Sequence, residues 1–492
     1  MLTRVFLLFI VCSFLLLAQS SFYYTNDSYA KYIEYSINNG SLNLKYPLIK
    51  PYSMADITSK MAPFNNGLRI GEYLENEILS YNFDPEKSPS GIVKGDIKLN
   101  FTQSVIAKSR NSVKLSINYP ANNFAFKSSF QFDQNFKDDS TYFGELGEWY
   151  YGRFDEAYLV YRDDSGKFNA SFGRVNRNLG SYSYSSLILS DNPYSSDHLW
   201  LQYKNDLFSF SFLSAKLEDK YGFDIMSKDS SSYGWYKRFY SIHRLDINIF
   251  ENLKVALTEA VIYGGKNQQW LSYYQNPFIP FYISKNNERS STDEGNANIY
   301  LALDIWYKPV KSVTLFTQIF IDDIDFKSEN RAKFPERKAI FGSLTLTDLV
   351  LPLSQIGVAA TWVENWTYNS FYTWANYNIH ERSIGYPFNS FQKFELFFDY
   401  FGIQPMIISG KVCYSEKGDN SLNNPFMATF EPFPMGVVEK IINLEAKGSY
   451  FFSSVFIGDI LLSYSKIQNE QHIKGMDGNQ YRIEMNLKYQ LY

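Results

Sequence analysis

Cysteine is almost absent from this chain, with two in 492 residues. Cys12 lies in an apolar N-terminal stretch that Ser13, Phe14, Leu15 and Leu16 continue, so lipidation there is not expected. Cys413 is then alone, and no intramolecular disulfide can staple the fold. Histidine is scarce as well, at positions 198, 243, 380 and 472 and without zinc spacing, so no metal and no cofactor is expected. There is no Gly-rich phosphate loop and no EF-hand loop. Past the N-terminus there is no run of about twenty apolar residues, the length a membrane helix needs. Positive charge is not in excess, and the formal net charge of −4 argues against a nucleic-acid partner.

The N-terminus itself reads as a signal peptide over residues 1–20. Arg4 supplies its positive end, Val5 to Ala18 its apolar stretch, and Ala18-Gln19-Ser20 a small-x-small cleavage site. Only helices and closed barrels satisfy every backbone hydrogen bond in hydrocarbon, so an exported chain without spanning helices is either soluble or a barrel. Composition favours the barrel. Forty Tyr, 42 Phe and 8 Trp make the chain 18% aromatic, yet its mean hydropathy is −0.29. Many aromatics in a polar chain suit lipid-facing rows and interfacial girdles around a wet interior.

The patterning agrees. In the last strand Tyr481, Ile483, Met485, Leu487, Tyr489 and Leu491 alternate with Arg482, Glu484, Asn486, Lys488 and Gln490, the period of a strand with one apolar and one polar face. Tyr492 falls one residue out of phase with that row. Similar alternation occurs at Val113-Leu115-Ile117-Tyr119, at Ile299 to Tyr307 and at Ile442-Leu444-Ala446. In the segment from Leu253 to Gly264, Glu259 falls in the apolar row, which predicts a bulge or a shift of register. Short turns at 163–166, 204–206, 251–252, 309–311 and around Gly402 alternate with long connections at about 136–153, 175–197, 218–234, 265–297, 323–337, 365–390, 415–437 and 467–479. Outer-membrane barrels have short periplasmic turns and long surface loops. The predicted fold is therefore an all-β transmembrane antiparallel barrel of about 18 strands over residues 91–492.

Residues 21–90 read differently. Tyr29, Ile33 and Ile37 recur at helical spacing and stop at Asn39-Gly40. Ser53 with Asp56 resembles an N-terminal cap, and Ile70 to Ser80 predicts a further helix. This is expected to be a small periplasmic helical region and a candidate plug.

Few residues point to chemistry. His243 and Ser241 share a strand face, as a lipid-active enzyme of the outer membrane would require, but a nucleophile also needs an oriented base, and the chain is read as non-enzymatic. If the apolar rows face lipid, then Arg244, Asp246, Asn248, Asp304, Gln318, Asp322, Arg482 and Glu484 line the lumen, where opposite charges pair. Loop aromatics cluster at Trp149-Tyr150-Tyr151, at Trp270, Tyr273 and Tyr274, and at Trp366, Tyr368, Phe371, Tyr372, Trp374 and Tyr377. Aromatic faces beside Asn, Asp and Gln can stack on sugars, although an interfacial girdle or loop packing would use the same residues.

Several segments in order resemble the Wzi family of capsule assembly proteins. They are Tyr32-Ile33-Glu34 through Asp56-Ile57; Gly173-Arg174 through Asn178-Leu179-Gly180 and Ser190-Asp191; and Asn276-Pro277-Phe278, Gly295-Asn296, Leu303-Asp304 and Gln318 through Asp322-Asp323. Leu179 stands where the family usually has Trp, and Ser181 where Pro is common. The resemblance implies an eighteen-stranded outer-membrane barrel with a periplasmic helical bundle, acting as a lectin for capsular or other envelope polysaccharide. Its expected partners are outer-membrane lipid, that polysaccharide and the barrel assembly machinery, with the barrel a monomer. A porin-like diffusion channel for small solutes is the alternative.

Overall fold

The computed structural model describes residues 22–23, 29–53, 56–57, 68–81, 90–102, 108–121, 123–144, 151–181, 186–222, 234–266, 268–287, 297–323 and 334–491. The expected signal peptide, Trp149, Tyr150, Gly295, Asn296 and Tyr492 lie outside these.

Eighteen antiparallel strands close into a barrel. They are β1 (Ser90–Thr102), β2 (Lys108–Ala121), β3 (Phe124–Asp133), β4 (Gly152–Arg162), β5 (Phe168–Arg174), β6 (Asp197–Lys204), β7 (Phe208–Lys216, resuming at Lys220–Gly222), β8 (Gly234–Phe250), β9 (Leu253–Lys266), β10 (Ala297–Val310), β11 (Val313–Asp323), β12 (Arg337–Thr347), β13 (Ser354–Val363), β14 (Phe391–Tyr400), β15 (Met406–Lys417), β16 (Glu439–Phe451), β17 (Phe456–Gln468) and β18 (Gly478–Leu491). Each pairs with the next, and β18 closes on β1 from Arg482 opposite Thr102 to Leu491 opposite Val93. Eight connections of two to six residues lie at one end of the barrel, and all the long loops lie at the other, together with the five-residue β1–β2 connection; the alternation in the sequence predicts this sorting of the long loops.

Period-two patterning places the side chains. Val113, Leu115, Ile117 and Tyr119 of β2 are exposed while Ser116 and Asn118 are buried. On β18, Tyr481, Ile483, Met485, Leu487 and Tyr489 are exposed. A continuous band of exposed apolar side chains is untenable in water and is the expected wall in hydrocarbon. The predicted break at Glu259 does not occur. β9 keeps register with β8 from Lys266 opposite Tyr236 to Lys254 opposite Asn248, and the irregularity lies beyond, between Asn248 and Phe250. Glu259 stays in the outward row because a loop covers it there, as described below.

Two helices occupy the short-turn end. In α1 (Ala30–Asn39), Tyr29 and the helical Ile33 and Ile37 form a buried stripe. Gly40, at φ +82°, ends the helix with its N–H donating to the Ile37 carbonyl, a left-handed cap that glycine adopts without strain. Tyr29 packs on Phe451 and Tyr35 on Phe401, with ring centroids 5.0 and 4.6 Å apart. Tyr35 also donates to Asp348 (2.9 Å), and Lys31 pairs with Asp399. In α2 (Arg69–Tyr81), Ile70 and Leu74 join the same core, and the Ile70 N–H donates to Gln404 (3.1 Å). The Ser53 hydroxyl accepts from Arg162 at 2.5 Å; the expected helix start after it includes residues 54 and 55, which lie outside the described ones.

Past α1 the chain enters the barrel. Ile49–Lys50 pairs antiparallel with Asn178–Leu179, and the Gly180 N–H donates to the Leu48 carbonyl (2.9 Å). The loop between β5 and β6 thus folds inward from the long-loop end and meets the N-terminal segment inside the lumen.

Candidate functional site

Strands β8 to β11 build the polar centre of the lumen. Arg244 is fully enclosed. Its guanidinium donates to Asp246 (2.9 Å), to Thr258 (3.1 Å) and to Asp304 (2.6 Å). Gln318 continues the chain: its Nε2 donates to Asp304 (2.7 Å) and to the Leu179 carbonyl (3.0 Å), and its Oε1 accepts the Leu187 N–H (2.6 Å). Two buried carboxylates around one guanidinium are tolerable because each of their four oxygens accepts at least one hydrogen bond. The sequence places these four residues in the lumen individually; their assembly into one network needs the register of three strand pairs.

Asp322 holds a second loop. Its carboxylate accepts the Tyr368 N–H (2.8 Å) and faces Arg337 at 3.4 Å. Tyr368 in turn donates to the Leu187 carbonyl (2.7 Å), and Tyr377 to the Ile188 carbonyl (2.6 Å). Arg238 donates to the carbonyls of Asn376 and Asn378, both at 2.8 Å. The loop 364–390 is therefore turned into the barrel mouth and locked on the loop 175–196.

The wall from β14 to β18 is different. Lys411 pairs with Glu445 (2.7 Å) and Lys488 with Asp459 (3.1 Å), each between neighbouring strands, and Arg482 pairs with Glu484 along its own strand. These pairs run along the wall and not across the lumen, and the first two fasten strand to strand.

At the outward face a cluster gathers from three loops. Phe143 is half exposed and stacks on His380, with centroids 3.8 Å apart and planes 13° from parallel. Arg382 donates to Thr141 and to Asp139, both at 2.6 Å, and lies 4.4 Å over the Tyr194 ring. Arg153 lies over the same ring at 4.1 Å. Burial alone would raise Asp139, but hydrogen bonds from Thr141 and Tyr194, with Arg382 nearby, hold it down at about 2. Burial holds the His380 imidazole below its usual value. Glu218 opposes this, and Arg238, Arg153 and Lys220 reinforce it. At neutral pH the ring is thus an uncharged flat face.

The family model of the capsule assembly protein Wzi matches residues 94–345, from β1 into β12. The chain belongs to the Wzi family. A solved structure of Wzi from Escherichia coli, titled an outer membrane protein involved in group 1 capsule assembly and a carbohydrate-binding β-barrel, is similar at TM-score 0.63 and 11% identity, over 95% of this chain and 99% of that one. OccK5 (OpdH) and OccD3 (OpdP), both of Pseudomonas aeruginosa, give TM-scores of 0.47 and 0.46 at 10% and 9% identity, over 82% of this chain and 99% and 92% of theirs. No curated protein matches in sequence. The long-loop end of this Wzi-family barrel is the cell-surface end, and the short turns face the periplasm.

The motif residues named above lie in the surface loops and in the barrel wall. Gly173, at φ +121°, has the Ala157 carbonyl 2.2 Å from where a Cβ would stand, so no other residue fits. Arg174 pairs with Asp197 (2.9 Å). Ser190 donates to the Gly385 carbonyl (2.6 Å), and Asn276 accepts the Phe278 N–H (3.0 Å) beside Pro277. Asp323 ends β11 opposite Arg337. Leu179, in place of the family's Trp, is fully buried.

The aromatics expected to point outward divide. Trp366 and Trp374 are buried, and the Trp366 indole donates to the Thr429 carbonyl (3.0 Å). Tyr274 is also buried; Tyr273 and Tyr372 are half-buried; Trp270 is exposed. The expectation of outward presentation is corrected for Trp366, Trp374 and Tyr274, because loops rich in Asn and Tyr can bury rings by satisfying their polar atoms with each other. The cluster around Phe143 and His380 was missed. Its members come from three distant loops, and only an isolated His and Arg mark it in the sequence. Ser241 and His243 lie on the outer wall beneath the loop 268–287. Gln275 donates to Ser241 (3.4 Å), and His243 lies 3.8 Å from Glu259 and stacks on Phe281.

Proposed function

We propose that this barrel holds capsular or another envelope polysaccharide at the cell surface, without catalysis. The observation that carries the reading is the inward locking of the loops 175–196 and 364–390 on Gln318, Asp322 and the N-terminal segment. A lumen occupied in this way leaves the outward face as the working surface, and it weighs against the diffusion channel. Family membership supports the same role. The contact residues we assign are Phe143, His380, Tyr194 and Arg382, with Trp270 and Tyr273 at the edge of the outer wall. Flat rings beside charged and amide groups suit sugar C–H faces and hydroxyls. The barrel is taken to be inserted by the barrel assembly machinery, to sit in outer-membrane lipid and to act as a monomer.

Deleting the gene tests this. Polysaccharide should be synthesised but appear in the medium, and unchanged cell-bound polysaccharide would overturn the reading. The purified barrel should also be silent in a planar bilayer while binding the same glycan.

A further inference from the structure

A cavity of about 380 Å³ lies at the periplasmic end, between the N-terminal segment 43–56 and the inner faces of β4, β5 and β6. Ser165, Lys167, Asn205 and Asp206 of the short turns stand at its mouth, so it opens away from the cell surface. Nothing in the outward site uses it.

Its lining is cationic. Lys45, Arg162, Lys167, Arg177 and Lys204 face only Asp56 and Asp206. Asp206 is a solvent-exposed partner of Lys45. Asp56 is shared by Arg162 and Lys204. One carboxylate therefore answers two cations in the interior of the cavity, and Arg177 has none. Arg177 is 4% exposed. Its Nε donates to His198 (2.7 Å) and its Nη2 to Ser171 (2.8 Å), and it lies 4.1 Å over the Trp200 ring. Among the described residues no acidic group pairs with it. A buried guanidinium without a counter-charge is costly, and an anion in the adjoining space would relieve that cost.

Two further features shape the occupant. Asn169, also 4% exposed and in the cavity wall, has a side-chain oxygen without a hydrogen-bond partner among the described residues. It is an acceptor for a hydroxyl donor. Tyr46 supplies a flat ring. The volume fits one or two hexose rings.

We propose that this cavity is a second saccharide site, facing the periplasm, that takes a sugar ring bearing a carboxylate or a phosphate. The anion meets Arg177, Arg162 and Lys204, and a ring hydroxyl donates to Asn169. The assignment stands on the cavity alone and does not need the outward face to bind glycan.

Calorimetric titration of the full chain in detergent at low salt, with glucuronate, glucose 1-phosphate, glucose and inorganic phosphate, tests it. At least one charged sugar should bind ten-fold or more tighter than glucose, and tighter than inorganic phosphate. Lys204→Gln should weaken that binding at least five-fold, and so should Asn169→Leu, which keeps all the charges. Two independent variants guard against misfolding of either. Lys440→Gln, toward the opposite end and in neither site, should leave it unchanged, and binding of intact polysaccharide by the same variants reads the outward site separately. Equal binding of glucose and both charged sugars would overturn the proposal. Inorganic phosphate binding as tightly as the charged sugars, or indifference to both cavity variants, would do the same. Carboxylate against phosphate preference then identifies which anionic sugar the site takes.

Discussion

Gln318 on β11 accepts the Leu187 N–H through Oε1 at 2.6 Å while its Nε2 donates to the Leu179 carbonyl at 3.0 Å. One wall side chain thus holds both Leu179 and Leu187 against the inside of the barrel. Replacing it with Leu keeps the volume but strands the Leu187 N–H and one oxygen of Asp304. Each unsatisfied buried group costs about 1–3 kcal/mol. Gln318→Leu should release the loop 175–196 without opening the wall, which the strand ladder holds. Single-channel recording should show small conductance steps in the variant where the parent is silent. Equal silence, with unchanged protease resistance of the loop, would mean the clamp is redundant.

Glu259 lies in the outward row of β9, where its carboxylate accepts the N–H groups of Phe281 (2.8 Å) and Tyr282 (2.7 Å) at the start of α3 (Phe281–Asn287). The loop 268–287 is folded down on the outer wall over Val261, Tyr263 and Phe239. Hydrogen bonds to a charged acceptor are worth about 1.5–3 kcal/mol each. Glu259→Ala should therefore free this loop from the wall. Protease should cut within 268–287 in the variant and not in the parent, while the barrel keeps its heat resistance. Matching cleavage patterns would show that the aromatic packing around Tyr274 holds the loop unaided.

Glu259 also marks where sequence reasoning stops. Alternation fixes the face of nearly every strand residue, because a one-residue slip would turn a whole apolar row inward. That is why Arg244, Asp304 and Arg482 could be placed in the lumen from the pattern alone. A carboxylate in the apolar row had no partner within reach in sequence, so a bulge was the natural expectation. Its actual partners are more than twenty residues away in a loop. The same holds for Trp366 and Trp374. Their residue types suit an exposed sugar platform and a buried packing contact equally, and only the fold of the loop 364–390 distinguishes the two. Helix α1 was legible because its apolar spacing and its terminal Gly40 are both local.

Arg382 ties the outward cluster together, holding Asp139 and Thr141 of one loop while lying over Tyr194 of another. Arg382→Ala removes the charge and the packing of its stem. Three loops would lose their common partner, and Phe143 would no longer be held against His380. Glycan binding by the purified barrel should fall about ten-fold, equivalent to about 1.4 kcal/mol, with the midpoint of barrel unfolding unchanged. Arg382→Lys should recover little, since an ammonium cannot reproduce the planar fork. Undiminished glycan binding in the Ala variant would move the contact surface elsewhere on the outward face.

Glu34 makes the docking of α1 depend on pH. It is buried in α1, and burial, with Asp399 and Glu395 reinforcing it and Lys31 and Lys50 opposing, raises its carboxyl from 4.5 to about 8. The docked helix therefore keeps a proton that the undocked chain releases above pH 4.5. Docking is fully favoured by this group below pH 4.5, loses free energy as pH rises from 4.5 to about 8, and is constant above that. At 1.36 kcal/mol per unit the ceiling of the loss is about 5 kcal/mol. Lys50 acts in the opposite sense, since burial lowers it to about 7, but it is present in both proteins of the comparison. Glu34→Gln cannot ionise, so the variant should match the parent at pH 4.5. Its α1 amides should exchange progressively more slowly than the parent's up to pH 8, with a constant ratio above. A ratio independent of pH across that window would mean that Glu34 is charged in the docked helix, held by Lys31 and Lys50.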